Sequence, residues 1–128
     1  MANERSAVIQ IGETKYEMLL TTKATKEIAK RYGGLSNLGE KLMKSENFEM
    51  ALDEIVWLIT LLANQSVLIH NLHTPSKKRE LLTEETVELL TSPHELGEYK
   101  NAIMAAMYKG TKRHVESEDE PSKNESVG

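Results

Sequence analysis

Apolar and polar residues alternate near the start of the chain and then settle into a helical period. After a polar opening, Met1–Ser6, which is expected to be disordered, Ala7-Val8-Ile9-Gln10-Ile11 is rich in β-branched residues and reads as a strand. Gly12-Glu13-Thr14 supplies turn chemistry. Lys15–Leu20 reads as the returning strand, with Tyr16, Met18 and Leu20 on one face. A lone two-stranded hairpin is marginal in water, so it must lie on the helices that follow. Thr21 or Thr22 can cap the first of these, in which Ala24, Ile28 and Tyr32 recur every fourth residue before Gly33-Gly34 stops it. A short helix is expected from Asn37 to Lys44, burying Leu38, Leu42 and Met43. Ser45 or Asn47 then caps a long central helix over roughly Glu46–Ile69. Thr74–Arg79 is a polar, Pro-containing connection, and Thr83 starts a brief helix carrying Val87 and Leu90. Ser92-Pro93-His94-Glu95 is a capping box with Pro at the first helical position. The last helix should run to about Lys109, with Leu96, Tyr99, Ile103, Ala106 and Met107 on one face and Gly110 just past its end. From Val115 the chain is acidic, with almost nothing to bury, and should be disordered. The expected fold is mainly α: a small helical bundle over 7–114 with an N-terminal β-hairpin (7–20) and a disordered acidic C-terminal tail (115–128).

The central helix carries two apolar seams. At about 100° per residue, Phe48, Ala51, Leu52, Ile55, Val56, Leu58, Ile59, Leu62 and Ala63 form a broad stripe suited to a core. Met50, Trp57, Leu61 and Leu68 fall together on the opposite side, flanked by Asp53, Glu54, Thr60, Asn64 and Gln65. Either the helix runs through the middle of the domain, with neighbours on both sides, or the second seam stays open for a partner. Burial is the usual fate of apolar residues. The open alternative fits an apolar stripe centred on Trp and rimmed by polar residues. Burying a Trp and two or three aliphatic chains there would supply on the order of 5 kcal/mol before association costs, which suits a transient contact. Met18, Met43, Met50, Met104 and Met107 add adaptable side chains, although each is also ordinary core filler.

Composition narrows the function classes. The chain has 128 residues, 39% hydrophobic and 28% charged, one domain's worth with a modest core. A net charge of -4 argues against nucleic acid as a partner, which would need a clustered basic surface. The absence of cysteine removes disulfides, thiolate zinc sites and cysteine nucleophiles together. No secretory pattern opens the sequence, and the strongest apolar run, Ile55–Ala63, is too short to span a bilayer. No membrane partner is therefore expected, and the location implied is cytoplasmic. Catalytic chemistry finds no foothold. His70 and His73 lack an identifiable third metal ligand. Ser92 and Thr83 are better helix caps than nucleophiles. Asp53-Glu54 and Glu84-Glu85 are adjacent pairs that point apart on a helix. Gly33-Gly34 and Gly39 lack phosphate-loop spacing. Lys77-Lys78-Arg79 reads as a solubilising loop, and the last helix, with Glu95 and Glu98 in its first turns, is no recognition helix. A non-enzymatic protein with no metal or cofactor is the expectation.

The order of features resembles the tail assembly chaperones of long-tailed bacteriophages and prophages, especially those of Gram-positive hosts. The likeness runs from about Val8 to Glu116. It rests on Val8-Ile9-Gln10-Ile11 leading through Thr22-Lys23-Ala24 and Glu27-Ile28 to Tyr32-Gly33-Gly34-Leu35; on Ala51 to Ile59 with Leu62 and Asn64-Gln65; and on Leu82-Thr83-Glu84-Glu85, Leu89-Leu90 and Ser92-Pro93, then Ala102-Ile103-Met104 and Gly110. The charged insert Thr74–Glu80 departs from the family's usual pattern. The resemblance implies a helper that binds the tape measure protein, a long and largely helical polypeptide, and keeps it soluble while the tail tube assembles. Such a helper works in the host cytoplasm and is absent from the finished tail. It also implies a longer product made by a programmed frameshift, for which codons of Ser122-Lys123-Asn124 could supply the slippery run, and which would recruit tail tube protein. Met50, Trp57, Leu61 and Leu68 are the expected partner-binding residues, by helix-in-groove docking. An open seam would also favour homo-oligomers while no client is bound. The alternative is a small helical regulator or adaptor of a mobile element acting through dimerisation.

Overall fold

The computed structural model describes residues 6–44 and 48–119, with side chains placed for 7–38, 40–41 and 51–108. Expectations for Met1–Arg5, for the caps Ser45 and Asn47, and for the tail at 120–128 lie outside the described residues, as do those for the side chains of Leu42, Met43, Phe48 and Met50.

Strands β1 (Ser6–Ile11) and β2 (Thr14–Leu19) form an antiparallel hairpin in which Ile9 faces Tyr16 and Ala7 faces Met18. The two-residue connection needs a positive φ, which Gly12 provides at +64°. Strand alternation turns Ile9, Ile11 and Met18 into the core, while Val8 is 58% exposed. Helix α1 (Thr22–Tyr32) starts on Thr21, whose hydroxyl accepts from the Ala24 amide at 3.0 Å. It ends at Gly33, left-handed at φ +87°, whose amide bonds to Ala29 O. Helix α2 covers Leu35–Lys44, beginning two residues before the expected Asn37, because the Leu38 amide already bonds back to Gly34 O.

The central helix α3 spans Phe48–His73, one turn beyond the expected Ile69. Its last turn is held from outside by His70 and Asn71, and Pro75 ends it. A single 3-10 turn, Pro75–Lys77, leads through an extended strap to α4 (Glu84–Leu90) and then α5 (Pro93–Asp119). Both short-range start signals are made as read. Thr83 accepts from the Thr86 amide, and Ser92 and Glu95 exchange reciprocal bonds at 2.9 and 3.2 Å. The end of α5 differs from expectation. The helix passes through Gly110 and Val115 to Asp119. Each of its interior glycines, Gly97 and Gly110, costs only about 1 kcal/mol, and no Pro interrupts the helix before Pro121. The expected disordered tail is thus helical as far as Asp119.

One core joins the hairpin to the helices. Ile55, Leu58, Ile59 and Leu62 of α3 are fully buried, along with Met18, Ile28, Leu38, Val87 and Ile103. The hairpin packs on α3 chiefly through β2 and on α5 chiefly through β1. Tyr99 of α5 ties the two together by donating its hydroxyl to Gln10 O at 2.6 Å. Of the two apolar residues carried by α4, Val87 enters the core and Leu90 does not. Leu90 is 51% exposed, with its Cδ1 against the turn glycine Gly12. By length and composition Ala51–His73, 23 residues whose most apolar 18-residue stretch has mean hydropathy 1.5, is long and apolar enough to cross a bilayer, a wider apolar window than Ile55–Ala63. In this fold its inner face is spent on the core.

Candidate partner-docking groove

Consecutive residues on a helix lie about 100° apart, so Asn64 and Gln65 of α3 reach in different directions. Gln65 is 3% exposed. It accepts from the Thr21 hydroxyl at 2.5 Å and donates to Leu61 O at 2.9 Å, fixing the start of α1. Asn64 turns to the other side, accepting from the Leu82 amide at 2.7 Å and donating to Leu82 O at 2.8 Å. Seven residues on, Asn71 makes the same two-point contact with Arg79, at 2.8 and 3.0 Å. His70 Nε2 donates to Lys77 O at 2.9 Å. Two asparagines from one helix therefore hold the strap, and His70 holds the 3-10 turn ahead of it.

Between these two flanks the second seam of α3 forms the floor of a groove. Trp57, Thr60, Leu61, Asn64, Gln65 and Leu68 line it from α3. Lys23 and Glu27 close one side from α1, and Leu81 and Glu84 close the other. The hollow measures about 290 Å³, at the small end of small-molecule pockets, roughly 300–1,000 Å³, and opens to solvent along one side. That is room for one or two large apolar side chains of a partner. Three of the four residues expected at a partner surface, Trp57, Leu61 and Leu68, are thus brought together and half-buried. Met50 stands in α3 seven residues before Trp57, and its side chain is outside the described set. The two readings of the seam are not exclusive here. Trp57 and Leu61 rest on the core and also present a face to the hollow.

The Trp57 end is anchored by a charged and aromatic cluster. The Arg31 guanidinium lies 4.5 Å from the Trp57 ring centroid, and Tyr32 meets the indole edge-on at 5.9 Å. Tyr32 donates its hydroxyl to Glu54, which also pairs with Arg31 and Lys41 at 3.5 Å each. Burial alone would raise the Glu54 pKa. The Tyr32 hydrogen bond and the Lys41 and Arg31 cations outweigh it and hold the carboxyl below the usual carboxylate range. Burial and the Glu54 partner push the Tyr32 hydroxyl above its ordinary range.

Sequence reading missed the walls of the groove. Lys23, Glu27 and Glu84 stand in other elements, and only the fold brings them to Trp57. Leu81 carried a weak signal as an extra leucine beside Leu82, ahead of the Thr83 cap. His70 and His73 do not converge: His70 is committed to the 3-10 turn at Lys77 and His73 is exposed. Among the described residues no group of three or more His, Asp or Glu could hold a metal ion. Compared with protein families, with curated proteins and with solved structures, the chain shows no match to any of them.

Proposed function

We propose that this chain is a tail assembly chaperone that binds the tape measure protein and keeps it soluble in the host cytoplasm during tail tube assembly, without catalysis. The observation that supports the reading is the half-open apolar groove along α3. Its Trp57, Leu61 and Leu68 are partly covered from within and available from outside. A client built of amphipathic helices needs such a receptor only until its stripes are buried in the tail. A shallow hollow with polar walls suits a contact that must later be released.

Co-expression tests it. The full chain should raise the soluble yield of a tape measure fragment several-fold. Leu61→Ser and Leu68→Ser should abolish that gain while leaving the helical circular dichroism unchanged. Unchanged client solubility with wild-type chain would overturn the reading. In the gene, the codons of Ser122-Lys123-Asn124 are the candidate slippery run for a frameshifted longer form that recruits tail tube protein, and an AAG codon at Lys123 with no neighbouring run would remove that site. The runner-up, a dimerising adaptor of a mobile element, draws on the exposed leucines Leu72 and Leu89, at 77% and 74% exposure. It predicts a stable dimer and no effect on the client.

A further inference from the structure

The two helices that flank the groove, α1 and α4, carry opposite net charge. Lys23 and Glu27 of α1 line the groove, Glu27 paired to Lys30 at 3.7 Å, and Lys26 stands beside them on the outer surface of the helix. On the far side α4 opens with Glu84 and Glu85 and continues with Glu88, and all three are exposed. Among the described residues Lys23, Lys26, Glu84, Glu85 and Glu88 have no ion-pair partner. A net positive helix and a net negative one thus flank the same apolar floor.

We infer that the groove is directional: it takes an amphipathic helix whose apolar stripe is bordered by acidic residues on the edge against α1 and by basic residues on the edge against α4. This inference rests on the docking reading above and adds the partner's charge pattern and the direction in which it lies. The occupant is a helix from another protein and not a second copy of this chain. The floor is concave, so two copies set face to face would meet wall to wall and hold their Trp57–Leu68 floors apart. A convex ridge is needed, and one helix supplies it. Like charges facing either wall lose attraction and add repulsion, while the matched pattern gains several surface pairs worth roughly 0.2–1 kcal/mol each. Turning the helix end for end exchanges its edges, so one direction is matched and the other is not.

The test uses the full chain and synthetic helical peptides with one leucine stripe, read by the emission of Trp57, the sole tryptophan. The first peptide carries Glu on one edge and Lys on the other, the second exchanges the edges, and two more carry only Glu or only Lys. The mixed peptides should bind about ten-fold tighter than either uniform one, and the preference should fade at about 1 M salt. A quencher on the peptide N-terminus should report opposite directions for the two mixed peptides. Lys23→Glu with Lys26→Glu, combined with Glu84→Lys and Glu85→Lys, should reverse both directions. Equal affinity for all four peptides, or a direction that ignores these changes, would overturn the inference while leaving the docking reading intact. No binding of any peptide would sink both, and a chain that sediments as a dimer broken by Leu61→Glu would replace the foreign helix with a second copy.

Discussion

Glu54 is a single carboxylate that serves the Tyr32 hydroxyl and the Arg31 and Lys41 cations while only 15% of its side chain is exposed. Because its folded pKa lies below the unfolded value near 4.5, the unfolded chain takes up the proton first. The associated stability is therefore fully present above that value and is lost as pH falls through the lower folded one. Glu54→Gln should remove this acid sensitivity, so that the urea-unfolding free energies of wild type and variant converge as pH falls through the lowered folded value. At neutral pH the variant should be less stable by about 1–2 kcal/mol, the difference between a hydrogen bond to a charged acceptor and one to a neutral acceptor. A constant gap between the two from pH 7 to pH 3 would show that Glu54 does not carry the titration. Trp57 next to it divides its surface between the core and the hollow. Trp57→Ala should cost about 2 kcal/mol, less than the roughly 3–5 of a fully buried Trp, and the chain should still unfold cooperatively.

The strap from Lys78 to Thr83 is an element held almost wholly by asparagine. Asn64 pairs with Leu82, which is 6% exposed, whereas Asn71 pairs with Arg79 at the surface. Removing either side chain frees one amide and one carbonyl, but water reaches only the outer pair. Asn64→Ala should therefore cost about 2–3 kcal/mol and Asn71→Ala under about 1 kcal/mol in urea unfolding. Equal losses would mean that the strap opens as a unit. The same contrast explains what was legible in the chain. The caps at Thr21, Thr83 and Ser92 and the stop at Gly33 satisfy backbone groups within three or four residues, so their signals sit in adjacent letters. The pairings Asn64–Leu82 and Asn71–Arg79 reach across 18 and 8 residues and have no periodicity to betray them. The floor of the groove was readable because Trp57, Leu61 and Leu68 obey one helical period. Its charged walls were not, since Lys23 and Glu84 meet it only after α1 and the strap have docked. Gly110 misled because glycine marks a helix end only when the backbone turns left-handed there, and α5 passes straight through it.

At the scale of the molecule, α3 works as a spine with a different task on each face. Ile55, Leu58, Ile59 and Leu62 face the hairpin side and are fully buried. The opposite face meets α1, the strap and the open hollow, where fewer apolar contacts resist local opening. Such a division implies two levels of stability in one domain. Amide hydrogen exchange of the free chain should be slowest in residues 55–67 of α3 and in the paired strand amides, and markedly faster in the strap. Binding of a tape measure fragment should then slow the strap and the first turns of α1 and α4 most, because these close around the occupant. The hairpin and α5, on the far side of the spine, should change little. The melting temperature should rise with client concentration, since a ligand that binds only the folded state stabilises it by mass action. If protection instead appeared first in the hairpin and α5, the working surface would lie on the opposite side of α3. The groove would then be only the seam along which α1 and the strap close the fold.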